Sequence, residues 1–214
     1  MKSLKISALT TVVLMATSSS QIALAESSLS ANVGYVSQYH FRGVQQTSAG
    51  SASVGLDYEK DGFYLGTWAA DVADGIEVDL YGGYGIELDS GLALGIGATT
   101  YQYSGDFDSA YNEINLSAGF GLFTVGYNHG KWDGEVGDEA ATEEDYSLLT
   151  VAIEKNGFTG TFGVYGQDSE GEYFELAYGT EIGGFEVGIG AIISGSDLDD
   201  DEALYFSLSK SFAL

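Results

Sequence analysis

Ser147–Gln167 reads SLLTVAIEKNGFTGTFGVYGQ, two alternating runs on either side of Asn156-Gly157. Asn-Gly between alternating runs predicts a tight β-hairpin, because a type I′ turn needs positive φ at both central residues. Leu149, Val151 and Ile153 share one face of the first run, and Phe158, Phe162 and Val164 share one face of the second. Thr150, Ala152, Glu154, Thr159, Thr161, Tyr165 and Gln167 occupy the other side. One side of this hairpin is apolar and the other is small and polar, and the rest of the chain repeats the unit.

Working outward, the same alternation recurs in twelve segments: 32–42, 50–58, 63–70, 76–87, 92–103, 111–121, 123–132, 146–155, 158–167, 172–181, 185–194 and 203–212. The connections between them alternate too. The short turns Glu59-Lys60-Asp61-Gly62, Asp89-Ser90-Gly91, Gly121-Leu122, Asn156-Gly157 and Gly183-Gly184 are followed by the bulky apolar residues Phe63, Leu92, Phe123, Phe158 and Phe185 respectively. The other connections are mostly longer and polar: 43–49, 71–75, 104–110, 133–145, 168–171 and 195–202. A soluble sandwich has no reason to sort its loops in this way. A transmembrane barrel does, with short periplasmic turns, longer extracellular loops and an aromatic girdle at the interface. The expected fold is therefore all-β, a transmembrane antiparallel β-barrel of about 12 strands. The even count would leave both termini on the periplasmic side.

Composition narrows the function classes. Cysteine and proline are absent. That removes disulfides, thiolate zinc sites and a cysteine nucleophile, and it suits strands paired on both edges. Residues 1–25 carry Lys2 and Lys5, an apolar stretch over 8–16 and a small-residue Ala23-Leu24-Ala25 site. They read as a cleaved signal peptide, with 26–214 forming the barrel. Loss of Lys2 and Lys5 would take the formal charge from −25 to −27. Such acidity argues against a nucleic-acid partner, which needs basic patches.

The carboxylates assign the faces. Glu77, Asp79, Glu113, Glu154, Glu175 and Glu186 all fall opposite the apolar stripes. The reverse parity would place them in lipid, where a buried basic side chain costs roughly 2–4 kcal/mol and an acidic one less. Several such penalties exceed the stability of ~5–15 kcal/mol typical of a folded protein. The apolar set should face lipid and the acidic set the lumen. A bore of twelve strands lies between the filled eight-stranded barrels and the open channels of 16 or more.

The most specific stretch is Asn32–Thr47, NVGYVSQYHFRGVQQT, followed after one hairpin by Asp61–Tyr84, DGFYLGTWAADVADGIEVDLYGGY. These resemble the proteobacterial TorF porin family. The matching elements are Val36-Ser37-x-Tyr39-x-Phe41-Arg42-Gly43-Val44, Gly62-Phe63-Tyr64-x-Gly66-Thr67-Trp68-Ala69, and Glu77-Val78-Asp79-Leu80-Tyr81-x-Gly83-Tyr84. The resemblance implies an outer-membrane barrel with a porin-like role. The chain departs from the family at Ala70-Asp71, where Ser-Asn is usual, and at its end, where Ala213-Leu214 follow Phe212.

Arg42 is the only arginine. It is expected at the end of the first strand, on the lumen side, after Gln38 and His40, within two or three strands of Trp68, Glu77 and Asp79. A guanidinium facing carboxylates, Glu113 and Glu175 among them, could form a constriction or an ion-pair network that fixes strand register. Ser147, His129 and Asn128 would suit a membrane-embedded lipid hydrolase, although no nucleophile elbow is present. The acidic loops 133–145 and 197–202 could bind Ca²⁺ through oxygen ligands but lack EF-hand spacing, and they read as solvated rims where divalent cations bridge anionic lipopolysaccharide. No motif asks for a cofactor or metal. The expected function is an outer-membrane porin-like channel for passive diffusion of small solutes, cations or neutral molecules preferred. The alternative is a non-conducting structural or interaction barrel. The expected partners are outer-membrane lipid, lipopolysaccharide and the solutes themselves, with the oligomeric state left open.

Overall fold

A computed structural model describes residues 27–136, 142–198 and 202–214. The expected signal segment 1–25 lies outside the described residues, as do 137–141 and 199–201 within the acidic loops. The strands are β1 (Ser28–Val36), β2 (His40–Phe41), β3 (Val44–Gln45), β4 (Ser51–Lys60), β5 (Phe63–Val72), β6 (Gly75–Glu87) and β7 (Leu92–Tyr103). They continue with β8 (Tyr111–Phe120), β9 (Phe123–Trp132), β10 (Glu144–Lys155), β11 (Phe158–Gln167), β12 (Glu172–Ile182), β13 (Phe185–Ser194) and β14 (Glu202–Ala213). Twelve of them close one antiparallel barrel, while β2 and β3 form a separate two-stranded hairpin. Closure is made by β1, whose Val33 sits opposite Val54 of β4 on one side and Lys210 of β14 on the other. The closed barrel leaves none of its own twelve strands with a free edge.

The Asn156-Gly157 hairpin forms as its residues require. Lys155 pairs with Phe158 across the turn, and φ is 53° at Asn156 and 82° at Gly157. Its register sets Leu149 opposite Val164 and Val151 opposite Phe162 on one face. Asp61-Gly62 repeats the same backbone, with φ of 51° and 85°.

Polarity is inverted relative to a water-soluble core. Leu65 is 65 % exposed, Leu80 54 % and Leu204 72 %, whereas Glu77 is fully buried and Asp79 1 % exposed. Side chains alternate across a strand, so each strand shows an apolar outer face and a polar or small inner one. Phe63, Phe123, Phe158 and Phe185 are exposed near the tight-turn end. Two of them pack on tyrosines of the neighbouring strand, Phe63 on Tyr84 at 4.6 Å and Phe158 on Tyr178 at 4.7 Å between ring centroids.

Two expectations change. The connection read as 71–75 shrinks to Ala73-Asp74, because β5 runs on to Val72, which pairs with Gly75. The first strand, expected over 32–42, spans Ser28–Val36 instead. Ser37 still bonds the wall at Phe206, its N–H donating to the carbonyl and its hydroxyl accepting from the amide, both at 2.9 Å. Beyond it the chain folds into the barrel as the β2–β3 hairpin. Alternation continues through Tyr39 and Phe41, so periodicity alone cannot register the departure from the wall.

Candidate functional site

The inward hairpin is built around Arg42-Gly43. Phe41 pairs with Val44 across a two-residue turn in which φ is 53° at Arg42 and 91° at Gly43. Both central residues are left-handed, as a type I′ turn demands. At its base, the Tyr39 carbonyl accepts from the Gln46 amide at 2.8 Å and the Thr47 amide at 3.2 Å. The Tyr39 amide donates to the Thr47 hydroxyl at 3.1 Å.

The tip crosses the lumen. The Arg42 guanidinium grips Glu113 of β8 through two bonds of 2.8 Å. It also lies over the Phe41 ring, 4.6 Å from the centroid. The backbone at the tip is held by other strands. Tyr165 of β11 donates its hydroxyl to the Arg42 carbonyl at 3.0 Å, and Ser194 of β13 donates to that of Gly43. Gly43 has no room for a side chain, since a Cβ would stand 2.7 Å from the Cβ of Tyr173 on β12.

Glu113 is the hub. Besides Arg42 it accepts from the hydroxyls of Tyr101 and Tyr146, each at 2.8 Å, and from the Asn115 amide at 2.6 Å. A buried carboxylate with this many donors is fully satisfied, and a bidentate guanidinium adds geometric specificity. Tyrosine–carboxylate pairing recurs down the barrel: Tyr39 to Glu77 at 2.9 Å, Tyr205 to Glu175, and Tyr81 to Asp57. Burial, with Glu77 and Asp79 close by, keeps the Tyr39 phenol protonated well above the usual tyrosine range.

Each sequence-derived candidate has a definite place. Arg42 and His40 belong to the buried hairpin, and Gln38 to the half-buried segment leading into it. Trp68 is buried on β5 with its ring edge-on to Tyr39 at 5.7 Å. Glu77 and Asp79 are buried on β6, and both Asp79 carboxylate oxygens lack a hydrogen-bond partner. Glu175 is buried on β12, apart from the Arg42 cluster. The ion pair of Arg42 is on β8, across the barrel, while Tyr39 is the residue of this segment that bonds Glu77. Tyr101, Tyr146 and Tyr165 were missed by sequence reasoning. Their inward parity was legible, but which carboxylate each would meet depends on barrel closure.

The hydrolase residues do not assemble. Ser147 and His129 face each other on the outer wall of β10 and β9, but Asn128 is buried inside, bonded to Asn115 at 3.0 Å. The His129 ring nitrogen Nδ1 lies 2.9 Å from the Gln167 amide instead.

A closed antiparallel barrel, apolar outside and carboxylate-lined inside, with a loop hairpin folded into its lumen, defines a transmembrane β-barrel. The chain belongs to the Gcw_chp family, bacterial proteins of unknown function, whose sequence model matches residues 20–205. Among solved structures it is similar to the KdgM porin, with TM-score 0.57 and 7 % identity over 86 % of this chain and 99 % of that one. It is also similar to a protein solved in work on in-meso crystallization of membrane proteins, with TM-score 0.61 and 12 % identity over 87 % of this chain and 84 % of that one. A comparison with curated proteins finds no match by sequence.

Proposed function

We propose that this protein is an outer-membrane porin-like channel for passive diffusion of small solutes, with the 37–50 hairpin as its constriction. The carrying observation is the inverted polarity of a closed barrel: Leu65, Leu80 and Leu204 face outward while Glu77, Asp79, Glu113 and Glu175 face in. Water would not tolerate that outer surface, and lipid would not tolerate the reverse. On this reading residues 1–25 are an export signal, the tight turns are periplasmic, and the longer loops are extracellular. The TorF-type resemblance of 32–47 and 61–84 supports the same role, as does the likeness to KdgM, which is itself a porin. The lumenal carboxylates outnumber the single arginine, so cations and neutral solutes are preferred over anions.

A second reading, a non-conducting structural barrel, is favoured by the Arg42–Glu113 clamp that holds the hairpin across the bore. Planar-bilayer recording of the refolded mature chain in a KCl gradient separates the two. Discrete steps with a cation-directed reversal potential support the channel. An anion-directed potential would sink the selectivity. A chain that inserts and stays silent, even in an Arg42→Gln variant with the clamp broken, would leave the structural barrel.

A further inference from the structure

The outer wall is not uniformly apolar. Between β5 and β9 it carries a groove of about 640 Å³. Small residues, Gly82, Ala98 and Thr100, form its floor, and Leu65, Leu80 and Ile114 its apolar sides. Gly82, Ala98, Thr100, Asn112, His129 and Lys131 all share the outward parity of Leu80, Ile96 and Ile114. Asn112, His129 and Lys131 close the groove toward the long-loop end. Asn112 and Lys131 are cross-strand partners, one residue from the ends of β8 and β9. The register sets the lining residues in two adjacent outward rows, Leu65–Gly82–Ala98–Ile114–His129 and Leu80–Thr100–Asn112–Lys131, so the groove crosses five strands, roughly 19 Å at ~4.8 Å per strand, polar at its β9 end and apolar toward β5.

Its polar end holds the one described lysine of an otherwise acidic long-loop half. Of seven Lys and Arg residues, Lys2 and Lys5 lie outside the described residues and Arg42 is inside the barrel. Lys60 and Lys155 end β4 and β10 at the tight turns, and Lys210 packs over Phe185 near the same end. Lys131 is thus the one described lysine at the long-loop end, and His129 stands two residues from it on the same face. Lys131 also reaches Glu143 at 3.0 Å and Asp145 at 3.8 Å. These are exposed pairs, weak and screened, and they leave the ammonium open to competition by a doubly charged phosphate.

We propose that this groove binds one phosphorylated acyl lipid of the outer leaflet, the lipid anchor of lipopolysaccharide. A chain lies along Gly82 and Ala98, and the phosphate sits on Lys131 and His129. Asn112 and Thr100 supply hydrogen bonds to the polar linkage between them. The pattern of an apolar trough ending in a lysine and a histidine matches that amphiphile, and the volume lies within the range of small-molecule sites. The proposal rests on the outer-membrane reading but not on conduction, so a silent channel leaves it standing.

The test is native mass spectrometry of the refolded mature barrel with bisphosphorylated lipid A, its dephosphorylated form, phosphatidylethanolamine or inorganic phosphate. Heat-modifiable gel mobility serves as the folding check for each variant. One lipid A should be retained by the wild-type barrel. Retention should fall at least tenfold for the dephosphorylated form, for phosphatidylethanolamine and for the Lys131→Gln/His129→Gln variant. It should fall similarly when the trough is filled by Ala98→Phe or, independently, Thr100→Phe, and inorganic phosphate should not compete at millimolar concentration. Equal retention by the filled variants would overturn the proposal, as would equal retention of the dephosphorylated lipid. So would a change of oligomeric state in the filled variants without any change in lipid, which would mean that a second copy covers the groove.

Discussion

At the scale of single residues, Arg42 does the most. It is a non-glycine residue at positive φ, an uncommon conformation for a long side chain, and its guanidinium is spent on one buried carboxylate. Removing one member of a buried pair leaves the other charged and unpaired, at a cost of about 3–5 kcal/mol. Arg42→Gln should therefore lower the temperature of heat-modifiability, and Glu113→Gln added to it should recover part of the loss. A double variant no more stable than Arg42→Gln alone would show that the ion pair does not secure the hairpin. Single-channel recording of Arg42→Gln should show larger, noisier steps than wild type. Leu176 makes the matching point on the outer wall, where it stands 47 % exposed at mid-strand on β12. Leu176→Arg should cost about 2–4 kcal/mol in bilayer refolding titrations.

At the scale of elements, the β2–β3 hairpin and the Asn156-Gly157 hairpin use the same turn for different ends. The second joins two wall strands, and its Gly157 lies so close to the Gly179 carbonyl that a Cβ would stand 2.6 Å from it. Gly157→Ala should cost about 1–2 kcal/mol through the left-handed backbone, and more through that clash. Equilibrium refolding in urea checks it. The first hairpin is anchored by tertiary contacts alone, so Gly43→Ala should act differently. Its Cβ would collide with Tyr173, displacing the tip from the lumen while the wall stays intact. Conductance should rise and limited proteolysis should cut within 37–49, and because the displaced tip parts Arg42 from Glu113 the unfolding midpoint should fall by no more than it does in Arg42→Gln. An unchanged conductance would show that the tip does not set the constriction.

At the scale of the whole molecule, the barrel resolves its charge problem by pairing rather than by openness. A strongly acidic chain keeps Glu77, Glu113 and Glu175 inside, each receiving a hydrogen bond from a tyrosine on another element. Tyrosine suits this role because its ring fills space while its hydroxyl satisfies the carboxylate. Asp79, which lacks such a partner, is the exception. An unpartnered buried carboxylate is costly to keep, so Asp79→Asn should raise the urea midpoint of refolding, and a lower midpoint would show that Asp79 is paired.

The sequence alone determined the wall. Period-two alternation, the parity of the carboxylates and the left-handed turn residues are local properties, and they specified twelve strands and which side faces out. Phe63, Phe123, Phe158 and Phe185 could be placed on the outside from their position after each turn. The tertiary structure decided what fills the barrel. Tyr39 and Phe41 keep the parity of Val33 and Tyr35 with only Ser37 interrupting it, and Arg-Gly is a less emphatic turn signal than Asn-Gly, so the local pattern does not show that the chain leaves the wall at Ser37. That choice is made by Glu113, Tyr165 and Ser194 on β8, β11 and β13. These strands converge on Arg42-Gly43 only once the barrel has closed, and a contact that exists only after closure leaves no trace in the spacing of residues along the chain.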